Sequence, residues 1–135
     1  MSTMSLGIYP VFNPRLNITS EAVGELLAES FDTLDQLADQ HGLTRFTAFA
    51  DTRPIPPDFR GTPEELEQRL GPWNDWFPCR SGIATFESLA QLISDHDDAA
   101  QQFEEPAAVA EELRAMVRAL IPAAARGARF RLEMS

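Results

Sequence analysis

The sequence contains no lysine and only one cysteine, Cys79, among its 135 residues. A single thiol cannot form an internal disulfide, which is typical of proteins of the reducing cytosol. No apolar run approaches the roughly eighteen residues that a transmembrane helix needs, and the N-terminus shows no basic region followed by an apolar one. The sequence therefore predicts a cytoplasmic protein that has no membrane partner.

Motifs of nucleotide, metal and acyl-transfer chemistry are also missing. The glycines are isolated rather than gathered into a phosphate-binding loop, and no G-x-S-x-G elbow occurs. The two histidines, His41 and His96, lie far from Cys79 along the chain, so no metal-ligand spacing is recognisable. We therefore expect no cofactor and no metal, and the missing catalytic motifs favour a protein that is not an enzyme.

Negative charge is what the chain does have: 21 acidic against 11 basic residues give a formal net charge of −10. Affinity for nucleic acid rests largely on cations that neutralise phosphates, so nucleic acid is not expected as a partner. The same charge favours a basic protein as a partner, while it also serves solubility by itself. The composition alone leaves both interpretations open.

The hydrophobic pattern predicts one α+β domain over residues 1–135, in which three to four helices pack on a small sheet. The sheet includes an N-terminal strand over residues 5–12 and a C-terminal strand over 128–134, in which apolar and polar residues alternate strictly. A third short strand is assigned to 44–50. Pro10 lacks a backbone donor and so places the first strand at a sheet edge or a bulge. The helices are predicted over residues 21–41, 63–70, 81–95 and 106–126. Ser20 can cap the first helix, Thr62 followed by Pro63 marks the start of the second, and Gly42 and Gly127 end the first and the last.

The predicted helix over residues 21–41 separates into an apolar face and an acidic face. The acidic side includes four residues that we take as candidate interaction residues: Glu21, Glu25, Glu29 and Asp32. Like charges four positions apart on a helix cost about 0.2–0.5 kcal/mol for each pair. Arginines elsewhere in the chain, or a partner, can compensate this repulsion. Alternatively, the acidic residues form a solvated face on which salt damps the repulsion. Gly24 and the run 30–33 leave open a break into two helices.

The second candidate site is the aromatic segment before the third helix, where Trp73, Trp76 and Phe77 have the spacing W-x-x-W-F. Such rings either cover the rim of the core or anchor an interface, in which tryptophan is enriched. Cys79 follows beside Arg80 near a helix start, an environment that lowers a thiol pKa. No histidine base is evident for it, and a small buried thiol is the common alternative.

Three runs of the sequence stand out together: F-D-T-L-D-Q-L-A-D-Q-H-G-L (31–43), W-F-P-C-R-S-G-I-A-T (76–85) and A-A-A-R-G-A-R-F-R-L (123–132). In these runs the chain resembles a loosely defined family of small, acidic, uncharacterised bacterial proteins. In that family pattern acidic residues usually follow the tryptophan before the glycine, and residues 78–81 of this chain depart from it. The resemblance covers most of the chain and implies no activity and no catalytic residue.

Three hypotheses about function follow from these observations. The first is a non-enzymatic cytosolic interaction module, which the acidic helix and the aromatic segment motivate. The second is a more specific form, an immunity or antitoxin-like protein that neutralises a basic toxin or nuclease. The third is a small-ligand binder or enzyme that uses residues 73–80.

Overall fold

The computed structural model describes residues 7–14, 24–50, 57–71 and 75–134 of the chain. The helices and strands of these residues confirm the predicted α+β class and the small sheet that includes both terminal strands. No helix among them is long and apolar enough to cross a membrane. In chain order, the elements are β1 (Ile8–Asn13), α1 (Glu25–Glu29), α2 (Phe31–Gln40), a 3₁₀ helix (Phe46–Phe49), α3 (Pro63–Leu70), β2 (Phe77–Pro78), α4 (Cys79–Asp95), α5 (Asp97–Ala100), α6 (Pro106–Ala125) and β3 (Arg129–Met134).

The C-terminal strand β3 is the centre of a three-stranded antiparallel sheet with the order β1-β3-β2. Its alternation is as predicted: Phe130 and Leu132 are buried, whereas Arg129, which precedes Phe130, is exposed. Phe130 lies opposite Phe12 of β1 on one side and Phe77 of β2 on the other. The sheet therefore presents one apolar face to the core, as the period-two pattern requires.

Strand β1 is an edge strand, as Pro10 indicated. The backbone groups of Ile8 point away from β3 and exchange two hydrogen bonds with Gly24, of 3.1 Å and 2.8 Å. Residues two apart in a strand direct their backbone groups to the same side, so the nitrogen of Pro10 also faces this outer edge. No ladder hydrogen bond to β3 is lost there, which is why proline is tolerated.

Helices α4 and α6 pack along their apolar faces, and a cluster of phenylalanine rings joins them to the sheet. Phe86 of α4 lies 6.1 Å from Phe130 of β3, and Phe49 of the 3₁₀ helix lies 5.5 Å from Phe86 and 5.2 Å from Phe130, measured between ring centroids. Edge-on and tilted ring pairs at these distances add about 0.5–1.5 kcal/mol beyond the area that they bury. This cluster is the structural centre of the domain.

The strand predicted over residues 44–50 is wrong, because Phe46–Phe49 form a 3₁₀ helix. Asp35 of α2 holds this turn: its carboxylate accepts hydrogen bonds from the Thr47 amide at 3.1 Å and from the Thr47 hydroxyl at 2.6 Å. Side chains three positions apart in such a turn lie on the same side. Phe46 and Phe49 can therefore both be buried, whereas a strand would have directed them to opposite faces.

The break into two helices that Gly24 and residues 30–33 left open is observed, because α1 and α2 are separate helices. Gly24 is extended (φ −100°, ψ 91°) because it is hydrogen-bonded to β1, so α1 begins at Glu25. A second break falls at Ser30 (φ −114°, ψ 13°). The predicted cap at Ser20 lies outside the described residues.

The predicted helix ends at Gly42 and Gly127 are confirmed. Each glycine has a positive φ, +67° and +69°, a backbone conformation that costs glycine least. The amide of the following residue then bonds back into the last turn, from Leu43 to Ala38 at 2.8 Å and from Ala128 to Ala123 at 3.1 Å. This is the Schellman arrangement, in which otherwise unpaired carbonyls find donors. It sends the chain directly from α6 into β3.

Candidate functional site

Phe77, the last ring of the aromatic segment, is part of the sheet. Phe77 belongs to β2 and pairs with Phe130, and its half-buried ring meets Phe49 edge-on at 5.5 Å. Trp73 lies outside the described residues. Phe77 therefore serves the core, which was the structural alternative for this residue.

Trp76 is half-buried on the opposite side of the strand. The guanidinium carbon of Arg131 lies 4.4 Å from the centroid of its ring, and the Arg131 Nε donates a hydrogen bond to Glu133 at 3.0 Å. A cation over a tryptophan face contributes about 0.5–2 kcal/mol, depending on how dry the contact is. One face of the indole is therefore already occupied from within the chain, which leaves Trp76 less surface for a partner.

Cys79 is the first residue of α4, and its side chain is buried, with 2% of the residue exposed. Its thiol donates a hydrogen bond to the carbonyl of Ala128 at 3.2 Å. Burial raises the pKa of this thiol, because the thiolate loses hydration. This effect outweighs the helix start and the neighbouring Arg80, which the sequence suggested would lower the pKa. Cys79 is a packing residue in this arrangement.

We expect Cys79 to resist alkylation in the folded protein. Iodoacetamide reacts with accessible thiolate, and both burial and a raised pKa reduce that species. Mass spectrometry after a timed exposure at pH 8 should show labelling only when urea is present. Rapid stoichiometric labelling without denaturant would contradict the buried position of the thiol and would restore its candidacy as a nucleophile.

The acidic residues of the first two helices form the stronger candidate surface. Glu25 and Glu29 of α1 and Asp32 of α2 are all exposed, and we call these three residues the acidic face. Glu21, the fourth candidate, lies outside the described residues. Within the part of the chain that the structure describes, the three carboxylates accept no hydrogen bond and join no ion pair. The negative charge that the sequence predicted here therefore has no cation partner among the described side chains.

Several arginines of the described residues pair with other carboxylates. Arg45 binds both oxygens of Asp39, at 2.9 Å and 2.8 Å, Arg118 binds Glu111 at 2.7 Å, and Arg131 binds Glu133. Exposed ion pairs of this kind contribute about 0–1 kcal/mol each. These contacts show that some surface carboxylates have arginine partners, whereas the three of the acidic face have none among the described residues.

Glu112 is the residue at this surface that sequence reasoning missed. From α6 it reaches the start of α1, where its carboxylate accepts hydrogen bonds from the amides of Leu27 at 3.1 Å and Leu26 at 3.3 Å. Gly24 at the N-cap has no side chain that could do this. Glu112 therefore caps a helix 85 residues away along the chain. The sequence held one signal of it: Glu112 is three residues after Val109 and four before Met116, beside the apolar stripe of α6.

The pKa of Glu112 is raised above its ordinary value. Burial is the largest cause, the two amide hydrogen bonds act in the opposite direction, and the negative charges of Glu25 and Glu29 raise the pKa further. Two of the three charges of the acidic face, Glu25 and Glu29, therefore act electrostatically on the Glu112 carboxylate. Perturbed carboxylates of this kind are concentrated at functional sites, although capping residues can also show them.

No group of three or more histidine, cysteine, aspartate or glutamate side chains in the described ranges is placed to hold a metal ion.

Comparisons of the chain with protein-family models, with curated proteins and with solved structures gave no match. The resemblance to the family of small acidic bacterial proteins therefore stays a prediction. The exposed carboxylates of the acidic face carry negative charge, which attracts cationic groups.

Proposed function

We propose that this protein is a non-enzymatic interaction module and that its acidic face binds a basic surface of a partner protein. The observation that carries the proposal is that, among the residues the structure describes, no cation pairs with Glu25, Glu29 or Asp32, while Asp39, Glu111 and Glu133 are paired with arginines. Like charges held four positions apart on a helix, such as Glu25 and Glu29, destabilise it. A basic partner would offset that repulsion.

The net charge of −10 supports the same proposal from the whole chain. Complementary charge speeds encounter and selects partners, because approach of an acidic surface is disfavoured. An immunity or antitoxin-like role, with a basic toxin or nuclease as the partner, is the more specific form of the proposal. Use of residues 73–80 as an enzymatic or ligand site is less favoured, because Phe77 and Cys79 pack into the core and Arg131 covers one face of Trp76.

A matched pair of triple variants tests the proposal. E25Q/E29Q/D32N removes the charge of the acidic face, and E64Q/E87Q/E104Q removes three exposed charges from α3, α4 and the segment before α6. Each variant removes the same three negative charges, so a general effect of net charge is identical in both. Affinity capture from the native host, quantified by isotope labelling, should then recover one or more basic proteins with the wild type and with the control, and several-fold less with the acidic-face variant.

The salt dependence of the same capture gives a second criterion. An electrostatic contact between exposed groups weakens as the Debye length falls from about 10 Å at 0.1 M to about 3 Å at 1 M salt. Equal recovery of every captured protein by the two triple variants, at low and at high salt, would contradict the proposal.

A further inference from the structure

We propose that the acidic face is energetically coupled to the contact that Glu112 makes with α1, so that a cationic surface bound over Glu25 and Glu29 tightens the packing of α1 on α6. We call that contact, from the Glu112 carboxylate to the amides of Leu26 and Leu27, the Glu112 clasp. For the nature of the ligand, a basic protein surface, the inference rests on the proposed function.

The Glu112 clasp is one of the contacts that hold a very short helix in place. Helix α1 has five residues, far fewer than an isolated helix needs in water. Leu27 is fully buried, Gly24 is bonded to Ile8 of β1, and the Glu112 carboxylate takes the two amides at 3.1 Å and 3.3 Å. The chain breaks again at Ser30 directly after it. The position of α1 therefore depends on these contacts rather than on helix propensity.

The charges that act on Glu112 come from the acidic face itself. Glu25 and Glu29 of α1 are the like charges that disfavour its ionised form. On α6 the neighbouring Glu111 is paired with Arg118, and Arg114 donates to Ser94 at the end of α4. Strand β1, which also packs on α6, carries Tyr9 as its ionisable side chain. Charge placed on the acidic face therefore changes the electrostatic free energy of the clasp.

An ionised carboxylate is the stronger acceptor for backbone amides, because a charge-assisted hydrogen bond is roughly twice as strong as a neutral one. In the free protein this form is opposed by burial and by Glu25 and Glu29. A cation over the acidic face offsets the repulsion and so favours the ionised clasp. The coupling is reciprocal, so the ionised clasp must in turn strengthen binding of the cation.

The sign of the pH dependence follows from the raised pKa of Glu112. The folded protein holds this proton more tightly than the unfolded chain does, so the contribution of Glu112 to stability is greatest below its ordinary pKa. That contribution is lost as the pH rises through the higher pKa of the folded state. A bound cation should reduce the loss, and its own affinity should rise over the same pH range.

The direct test is an NMR titration of the Glu112 side-chain carboxyl carbon in the wild type and in two double variants. E25Q/E29Q removes the two facing charges, and E64Q/E87Q removes two exposed charges elsewhere. We expect the pH midpoint of the Glu112 titration to fall in E25Q/E29Q and to stay unchanged in E64Q/E87Q. At pH 7 the amides of Leu26 and Leu27 should exchange about two-fold more slowly in E25Q/E29Q, the size expected for relief of like-charge repulsion on a helix. An unchanged midpoint in E25Q/E29Q overturns the coupling.

A second arm adds a ten-residue arginine peptide, with a glycine–serine peptide of equal length as the neutral probe. The arginine peptide should lower the Glu112 midpoint and slow the exchange of both amides in the wild type and in E64Q/E87Q, and should do neither in E25Q/E29Q. A midpoint that moves in E25Q/E29Q but not with the arginine peptide upholds the coupling within the chain and counts against a basic ligand at this face. The two proposals therefore fail separately.

Discussion

Replacing Phe130 with alanine is expected to lower the free energy of unfolding by about 3–5 kcal/mol, the usual cost of truncating a buried phenylalanine. Phe130 is fully buried on the central strand of the sheet. Its ring contacts Phe49 at 5.2 Å and Phe86 at 6.1 Å, so it links the strand to the 3₁₀ helix and to α4 at once. Its removal leaves a cavity that these three elements share and that none can fill alone.

Urea denaturation followed by circular dichroism measures this loss. F31A is the matched control, since Phe31 of α2 undergoes the same chemical change but is only half-buried at the edge of the core. We expect F31A to lose clearly less stability than F130A. A decrease in the free energy of unfolding below about 1 kcal/mol for F130A would be no larger than that of a mild substitution. That result would contradict the central position of the Phe130 ring.

The second large effect is expected at Gly82 of α4, where alanine should destabilise the protein by about 1–3 kcal/mol, the range for overpacked cores. A methyl group there would come within 2.7 Å of Cε1 of Phe130 and 2.9 Å of Cδ1 of Leu120. Both neighbours are fully buried and cannot turn away into solvent. Helix propensity alone would favour alanine over glycine by about 1 kcal/mol, so the sign of the effect reports the packing.

The sign should reverse when Phe130 is absent. In an F130A background the nearest obstacle to the new methyl group is gone, and the gain in helix propensity remains. We therefore expect G82A to be neutral or stabilising there, which a double-mutant cycle by urea denaturation would show as a strong non-additive term. Additive effects of the two substitutions would mean that α4 does not approach β3 at Gly82.

Much of the fold could be predicted because its signals are local. Strict alternation over residues 128–134 identified β3, and Thr62 followed by Pro63 marked the start of α3, where the Thr62 hydroxyl accepts the Glu65 amide at 3.2 Å. These elements follow from side-chain period and capping chemistry within a few residues. Both elements are present in the structure.

The errors fall where a distant contact overrides the local pattern. The bond of Gly24 to Ile8 shortens the first helix, and the carboxylate of Asp35 turns residues 46–49 away from a strand. A hydrogen-bonded partner far along the chain gives no periodicity that a sequence window could reveal. Tertiary contacts of this kind routinely outweigh propensity.

The candidate site shows the same division. Exposure of Glu25, Glu29 and Asp32 follows from the helical wheel, and it is confirmed. The stacking of Arg131 on Trp76 and the reach of Glu112 to α1 depend on which elements become neighbours. Those two contacts favour the acidic face over the aromatic segment as the candidate surface. Arg131 covers one face of the Trp76 ring, and Glu112 places a further carboxylate beside α1.

Zero-length cross-linking with a carbodiimide in host-cell extract tests the role of the acidic face most directly. The reagent joins carboxylates to amines, and because the chain has no lysine, a carboxylate of this protein linked to a lysine identifies another protein. Peptide mapping should place the linked carboxylates at Glu25, Glu29 and Asp32, joined to a basic protein, and the links should fade at high salt. Links spread evenly over exposed carboxylates such as Glu64, Glu87 and Glu104 would contradict a specific acidic interaction surface.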